Sequence, residues 1–183
     1  MTADRDAIID AAFRAHVSDV YRLAFSVVRN QQAAEDVTQD TFIRAYDRFG
    51  KFDTARPIGP WLHAIATNIA IDHVRRSRVR RWIGLAGPRE ISLEDSALPD
   101  ESSLVVERDA VAELLDELPA RSRAMLVLRH AYGYDDRSIA ELVGTSPGNV
   151  RTQISRAHQR LRLILASPAA HAGENGRPID GDW

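Results

Sequence analysis

The chain has 183 residues and a nearly balanced charge, with 24 lysines and arginines, 26 acidic residues and a formal net charge of −2 at pH 7. This balance excludes a generally basic nucleic-acid-binding protein, so a DNA or RNA partner must be recognised by local patches. Cysteine is absent, which excludes disulfides, cysteine-based zinc sites and thiol redox switches within the chain.

The first residues carry no recognisable targeting signal. The segment MTADRDAIIDAAF is acidic where a secretory signal peptide needs a basic head and an unbroken apolar run. No stretch of the sequence approaches the roughly 20 apolar residues of a membrane span. We therefore expect a cytoplasmic chain without membrane insertion, whose length suits one domain or two small ones.

Three helices are predicted in the first part of the chain. Apolar residues recur at helical spacing from Asp6 to Arg29, from Gln32 to Phe49 and from Pro60 to Arg78. Asn30 and Gly50 end the first two helices, and the glycine- and proline-rich segment KFDTARPIGP separates the second from the third. Three helices with such short connections indicate a compact helical bundle.

The second and third predicted helices carry opposite charges. The second presents acidic and amide side chains that repel DNA, so any partner of this surface is expected to be a protein, and simple solvation is otherwise preferred; these residues are Glu35, Asp36, Gln39 and Asp40. The third helix ends in more arginines than the helix dipole needs, which favours a track for phosphates; these are Arg75, Arg76, Arg78, Arg80 and Arg81. For Trp61, at the start of that helix, burial in the core is the more frequent outcome, and stacking on an unpaired base is the alternative.

The rest of the chain predicts a linker, a second helical unit and a tail. Residues 83–103 lose all periodicity and become rich in glycine, proline, serine and acids, which is typical of a linker. Helices resume near residue 104, and residues 166–183 are expected to form a disordered tail. The predicted fold class is all-α, with two small helical domains, an N-terminal bundle at 6–82 and a C-terminal helix-turn-helix unit at 104–165, joined by a flexible linker.

The last two predicted helices have the signals of a helix-turn-helix motif. The segment DDRSIAELV is a short helix that Asp135 or Asp136 caps and Gly144 stops, and Ser146 caps a longer helix with Pro147 in its first turn. A helix, a tight turn and a longer helix form the arrangement whose second helix reads the major groove of DNA.

The surface of the final helix favours DNA over solvent. Its apolar stripe comprises Val150, Ile154, Ala157, Leu161 and Ile164. Its other face carries Asn149, Arg151, Thr152, Gln153, Ser155, Arg156, Gln159 and Arg160, without a carboxylate. A solvated helix usually mixes acids with bases, whereas phosphates select against acids. The alternative is the closing helix of an ordinary bundle with an arginine-biased surface.

Catalytic and metal-binding motifs are lacking from the sequence. It contains no Walker-type loop, no G-x-G-x-x-G and no H-E-x-x-H. The histidines show no metal-ligand spacing, so each is expected to be a surface or core residue; they are His16, His63, His73, His130, His158 and His171. We expect no enzymatic activity, no metal and no cofactor.

Three segments together resemble a known family. The segments AEDVTQDTFIRAYDRFGKFD, PWLHAIATNIAIDHVRR and LDELPARSRAMLVLRHAYGYDDRSIAELVGTSPGNVRTQISRAHQRLR are similar, in this order, to the two conserved domains of extracytoplasmic-function (ECF) sigma factors of bacterial RNA polymerase. The resemblance covers about residues 6–165. It implies an alternative sigma factor that binds core RNA polymerase through its β′ and β subunits, recognises −35 and −10 promoter elements and promotes promoter melting. An anti-sigma protein is a further expected partner.

The resemblance also implies roles for individual residues. The helix containing DVTQDTF is similar to the segment that docks on the β′ clamp helices, which assigns Asp36, Gln39 and Asp40 to core polymerase. The implied −10 DNA contacts are Lys51, Trp61, Asn68, Asp72, His73, Arg75 and Arg76. The implied −35 DNA contacts are Ser146, Asn149, Arg151, Thr152, Ser155, Arg156 and Gln159. Before the Trp-Leu pair the family usually has a polar or basic residue, whereas this chain has Ile58, Gly59 and Pro60.

Two other functional classes remain open. A one-component repressor or activator with the same helix-turn-helix would bind an operator without polymerase, although the acidic helix and the two-domain order argue against it. A purely protein-binding adaptor, such as a decoy for an anti-sigma protein, would need neither arginine patch.

Overall fold

The computed structural model of the chain describes residues 2–83 and 114–166, which we call the N-terminal half and the C-terminal half. All regular elements in these ranges are helical, which confirms the predicted all-α class. They are α1 (Thr2–Val28), α2 (Gln31–Arg48), a 3₁₀ turn (Phe49–Lys51), α3 (Ile58–Trp82), α4 (Ala120–His130), α5 (Asp136–Val143) and α6 (Pro147–Ala166). The predicted linker at 83–103, the start of the second unit near residue 104 and the tail at 166–183 fall almost entirely outside the described residues.

Local capping explains where the N-terminal helices begin. Asn30, predicted to end the first helix, caps the second, because its Oδ1 accepts a hydrogen bond from the Ala33 amide at 2.8 Å. Helix α3 begins at Ile58, two residues before the predicted start. Pro60 therefore lies in the first turn, where a missing N–H breaks no helical hydrogen bond. None of the helices in the described ranges is long and apolar enough to cross a membrane.

The C-terminal half contains the predicted helix-turn-helix. The Asp135 carboxylate accepts from the Ser138 amide at 2.8 Å and caps α5. Gly144 ends α5 in the left-handed conformation with φ 64°, and the Ser146 hydroxyl accepts from the Asn149 amide at 3.2 Å at the start of α6. These three residues confirm the predicted caps and stop, and they fix the angle at which α6 leaves the turn.

The two halves share one hydrophobic core. Buried apolar side chains from α1, α2 and α3 form a single cluster with those of the C-terminal half, within the described ranges. Its large fully buried members include Val20, Leu23, Leu62, Met125, Leu128 and Ile139. The sequence predicts two helical units but not this packing, since periodicity identifies the apolar face of a helix and not what covers it.

Candidate protein- and nucleic-acid-binding surfaces

The acidic surface of α2 is exposed as predicted. Asp36, Gln39 and Asp40 lie outside, while Val37 and Thr41 on the opposite side of the helix are buried. The Thr41 hydroxyl is satisfied within the helix by the Val37 carbonyl at 2.7 Å. The three predicted polymerase-binding residues therefore form one solvated face that the core leaves free.

An apolar groove adjoins this acidic surface between α1 and α2. It encloses about 520 Å³ and is lined by Phe13, Val17, Tyr21, Arg22, Glu35 and Gln39, among others. Phe13 is an apolar residue at helical spacing in α1, and its side chain is 45 % exposed. Its ring contacts Phe42 edge-on at 4.9 Å and forms part of the groove wall. The spacing of Phe13, Val17 and Tyr21, one turn apart, was a signal for this second apolar face.

Trp61 lies in an environment between the two predicted alternatives. Its indole is half-buried against the core, and one ring face is covered by Phe52 at a centroid distance of 4.7 Å. Lys51, in the 3₁₀ turn before Phe52, is exposed. The turn and the start of α3 thus form an aromatic ledge, Phe52 and Trp61, with a lysine beside it.

The residues Ile58, Gly59 and Pro60, where the chain departs from the resembled family, have a packing role. Gly59 is buried, and a Cβ atom at this position would lie 3.3 Å from Cε1 of His16 on α1. Glycine therefore allows the start of α3 to approach α1 closely. This segment contributes backbone packing rather than a polar side chain.

The arginine track continues along the C-terminal part of α3. Arg75, Arg76, Arg78 and Arg80 are all exposed; the side chain of Arg81 is outside the described set. Asp72 forms an ion pair with Arg75 at 3.3 Å. Because both side chains are exposed, this pair holds the Arg75 guanidinium only weakly. Arg76 follows Trp61 by fifteen positions, so about 22 Å along one helix lies between the ledge and this part of the track.

His73 and Asn68 lie between the ledge and the track. Burial lowers the pKa of His73, with further lowering by Arg80 and Arg76 against an opposing effect of Asp36, so the ring is neutral at pH 7. The Asn68 amide nitrogen donates to the Ala64 carbonyl at 2.7 Å and to the Leu142 carbonyl of the C-terminal half at 2.9 Å. Among the predicted −10 residues, Asn68 is thus hydrogen-bonded to the C-terminal half.

Helix α6 presents its predicted face to solvent. Val150, Ile154 and Ala157 are buried, which confirms the predicted stripe. The exposed residues include Arg151, Thr152, Ser155, Arg156 and Gln159. Some predicted −35 residues also form hydrogen bonds within α6 and its turn. The Asn149 side-chain Nδ2 donates to the Thr145 hydroxyl at 2.8 Å, and the Thr152 hydroxyl donates to the Gly148 carbonyl at 2.9 Å.

Arg151 and Arg156 differ in their surroundings. Arg151 Nε lies 3.4 Å from Asp136, a carboxylate that also binds Arg129. Arg156 forms no ion pair among the residues that the structure describes. The guanidinium of Arg156 is therefore the freer of the two.

A basic cleft that the sequence analysis does not predict lies beside α6. It encloses about 350 Å³ and is lined by Arg129, Asp136, Arg151, Ile154, Ser155, His158 and Arg162. His158 lies 3.2 Å from His130 between their Nε2 atoms. Burial lowers the pKa of His158, as do His130, Arg162 and Arg129, so its ring is neutral at pH 7. The spacing of Arg151, Ser155, His158 and Arg162 along one side of α6 was the available signal. Within the described ranges no group of three or more acidic or histidine side chains could hold a metal ion.

Comparisons with known protein families match both halves of the chain. Residues 12–80 match sigma-70 region 2, and residues 108–161 match sigma-70 region 4. The chain is 31 % identical over 160 residues to the ECF RNA polymerase sigma factor SigL of Mycobacterium tuberculosis, covering 87 % of this chain and 89 % of the relative. It is 29 % identical over 170 residues to the ECF RNA polymerase sigma factor SigW of Bacillus subtilis, covering 88 % and 90 %.

Two solved structures share the fold. One is the sigma factor RpoE in complex with the anti-sigma factor NepR from Bartonella quintana, with a TM-score of 0.69 and 21 % identity over 87 % of this chain and 97 % of that one. The other is CnrH in complex with the cytosolic domain of CnrY, with a TM-score of 0.64 and 23 % identity over 93 % and 96 %.

Proposed function

We propose separate roles for the two halves of this chain, which belongs to the ECF family of RNA polymerase sigma factors. As a member of that family it is an alternative sigma factor that directs promoter recognition in transcription initiation. Members of the family are transcription initiation factors that bind core RNA polymerase and promoter DNA. The proposal concerns which residues of this chain make those contacts, with domain 2 at 6–82 and domain 4 at 104–165.

The acidic face of α2 and its groove are the proposed docking site for core polymerase. Asp36, Gln39 and Asp40 offer charge and amide groups, and the groove beside them offers exposed apolar surface that includes Phe13. A helical partner with basic and apolar side chains on one face fits this combination. We assign this partner to the clamp helices of the β′ subunit, and the β subunit is proposed as a further contact.

The aromatic ledge and the arginine track are the proposed −10 interface. Trp61 has one face covered by Phe52, which holds the ring in place. Stacking of an unpaired base on an aromatic ring contributes roughly 1–3 kcal/mol. The wider set of −10 residues remains Lys51, Trp61, Asn68, Asp72, His73, Arg75 and Arg76.

Helix α6 is the proposed reader of the −35 duplex. Its exposed face bears Arg151, Ser155, Arg156 and Gln159 without an acid among them, and the turn before it has the geometry of a helix-turn-helix. Ser146, Asn149 and Thr152 complete the proposed set, and their internal hydrogen bonds make them positioning groups as well. The basic cleft beside α6 adds Arg129 and Arg162 as proposed phosphate contacts.

Initiation by this chain is proposed to use binding energy alone, while polymerase supplies the chemistry. Extruding a base costs a few kcal/mol, and stacking with phosphate contacts offsets this cost only when the strand is open. The chain therefore favours the melted promoter over the closed one. We place this activity in the cytoplasm, where polymerase transcribes. An anti-sigma partner is also proposed, because RpoE and CnrH are found in such complexes.

A run-off assay tests the proposed function against its alternatives. The full chain is added to purified core polymerase on a library of candidate promoters, and a gel shift of the chain alone runs in parallel. We expect transcripts that need both chain and core. Tight operator binding without core, and no core-dependent transcript, would indicate a one-component regulator. Binding to neither DNA nor core would indicate an adaptor. The observation that carries the proposal is the acid-free exposed face of α6 on a capped helix-turn-helix.

Charge reversal on α2 tests the docking assignment. Asp36→Arg or Asp40→Arg should each weaken affinity for core polymerase by about 1–3 kcal/mol, because a repulsive charge replaces an attractive one at the interface. Glu141→Arg is the matched control, since Glu141 is equally exposed but lies on α5. Affinity is measured by fluorescence anisotropy of labelled chain at two salt concentrations. Equal affinities for all three variants would contradict the assignment.

A further inference from the structure

The C-terminal half packs on a face formed by α1 and α3, and hydrogen bonds join the two halves at several points of this interface. At one end Arg123, only 6 % exposed, donates to the Val27 carbonyl at the end of α1 at 3.0 Å. In the middle the Tyr132 hydroxyl donates to the Asp19 carbonyl at 2.9 Å. At the far end Asn68 reaches the Leu142 carbonyl. The interface is therefore specific along its whole length.

His63 of α3 is the buried titratable group at the centre of this interface. It is 6 % exposed, and its Nδ1 shares a hydrogen bond of 2.9 Å with the Tyr134 hydroxyl. Its ring contacts Tyr132 edge-on at 4.6 Å and Tyr134 at 5.9 Å. Its Nε2 is buried and has no hydrogen-bond partner among the described residues.

The surroundings of His63 accommodate the neutral ring and not the imidazolium. An imidazolium carries a proton on both nitrogens, and here the Nε2 proton would be buried without an acceptor. On α1, the charge of Asp19 raises the pKa of the ring and His16 lowers it, and from the C-terminal half Tyr132 and Tyr134 contact the ring. Burial is the largest effect on the pKa of His63, which lies below its ordinary value of 6.5.

We propose that proton uptake by His63 weakens the contact between the two halves, so that acidification shifts the equilibrium from the closed chain toward an open one. In the open chain the ring meets water and titrates normally. The residues 84–113 that join the halves can span about 100 Å at full extension, so the covalent connection permits opening.

The direction of the pH dependence follows from the lowered pKa. The closed form binds the His63 proton more weakly than the open form, so its stability is complete above pH 6.5 and falls as the pH drops below that value. For one proton the ratio of open to closed chain rises by up to about tenfold per pH unit in this window.

Opening would also release a proposed DNA contact, a consequence that rests on the proposed function. An amide nitrogen has two N–H bonds, and both of those on Asn68 are used in the closed form. Separation of the halves frees the bond to Leu142 and leaves a donor for a base. The closed chain is in this sense autoinhibited at its −10 surface.

Distance measurements on the full chain test the proposal. Because the chain has no cysteine, Arg48→Cys and Arg137→Cys, both at exposed positions, place one donor and one acceptor dye on opposite halves. Energy transfer is recorded from pH 8 to pH 5.5 without DNA or polymerase, and circular dichroism at each pH checks that the helices persist. We expect transfer to fall below about pH 6.5, and constant transfer over the whole range would overturn the proposal.

Two variants separate His63 from the other histidines. His63→Asn keeps a hydrogen-bonding group for Tyr134 but cannot ionise, so its transfer should stay high at every pH. Tyr134→Phe keeps the titrating ring and weakens the closed form, so its transition should move to higher pH. A fall in His63→Asn that matches the original chain assigns the response to another group and overturns the proposal. If His63→Asn is open at every pH, the Tyr134→Phe shift decides, and an unshifted transition overturns it. Failure of the run-off assay would leave this result untouched.

Discussion

Gly144 lies at the turn between α5 and α6 in a backbone conformation that L-residues rarely adopt. Its φ of 64° lies in the left-handed region, and no atom lies within 4 Å of a Cβ added there. The requirement for glycine is therefore one of backbone conformation and not of space. The sequence predicts this position correctly because a helix stop is a local signal.

Replacement of glycine by alanine should have opposite effects on stability at positions 144 and 148. Gly144→Ala should lower the free energy of unfolding by about 1–2 kcal/mol, the strain of a left-handed alanine. Gly148→Ala is the control, because Gly148 lies inside the first turns of α6 with open space around its Cβ position. Alanine should raise stability there by up to about 1 kcal/mol. Urea unfolding measures both, and a loss of stability in both variants would contradict the assignment of strain.

The environments of other single residues depend on tertiary neighbours, which the local sequence does not identify. Phe13 has the spacing of a core residue, yet it lies at the edge of the bundle, where α2 covers only one side of its ring. Trp61 is neither fully buried nor free, since Phe52 from the preceding turn stacks on it. Gly59 has a buried role only because His16 packs against it. None of these partners adjoins its residue in the sequence.

At the scale of elements, helix type and order follow from the sequence, while helix ends differ by a few residues. Helix α1 begins at Thr2 and α3 runs on to Trp82, beyond the predicted limits of both. The apolar pattern loses its period before the backbone leaves the helix, since polar end turns are also helical. The capped ends are the exception: Gly144 and Ser146 are predicted to the residue, and Asp135 is one of the two predicted caps of α5.

Arg156 of α6 is the residue through which base readout is best tested. Arg156→Ala should cost about 1–3 kcal/mol of −35 affinity at one base position if the side chain binds guanine with both nitrogens. Arg151→Ala should cost less, because Arg151 must first leave Asp136 to reach DNA. The control is Arg137→Ala, an equally exposed arginine of α5. Binding of the polymerase complex to a set of single-base −35 variants is the measurement. An equal loss on every sequence would make Arg156 a phosphate contact.

At the scale of the whole molecule, the closed arrangement was not predictable from the sequence. Besides the shared core, this arrangement is held by single hydrogen bonds between residues far apart in the chain, such as Arg123 with Val27 and Tyr132 with Asp19. An arginine or tyrosine in an amphipathic helix gives no sign of such a distant partner. The sequence predicts the two helical units, but it does not predict how they pack against each other.

Tyr132 gives the closed arrangement a measurable alkaline limit. Burial, with a smaller effect of Asp19, raises the pKa of Tyr132 from 10 to about 12. Stability of the closed form should therefore be complete below pH 10 and decline as the pH rises toward 12. Burial also raises the pKa of Tyr134, so a spectrophotometric titration of the four tyrosines should show late titration that Tyr132→Phe reduces and that Tyr46→Phe, at an exposed site, leaves unchanged. Late titration of unchanged amplitude in Tyr132→Phe would refute the assignment.

The shared core has a consequence for protein engineering. Grafting one DNA-reading domain onto another protein assumes that each domain is a self-contained part. Here Met125, Leu128 and Ile139 belong to the same buried cluster as Leu23 and Leu62. A graft that transfers only the exposed residues of α6 would leave the buried surfaces between the two halves unchanged. A graft of the entire C-terminal half would bring a foreign surface against α1 and α3, and the hybrid would differ in its closed form as well as in the DNA that it reads.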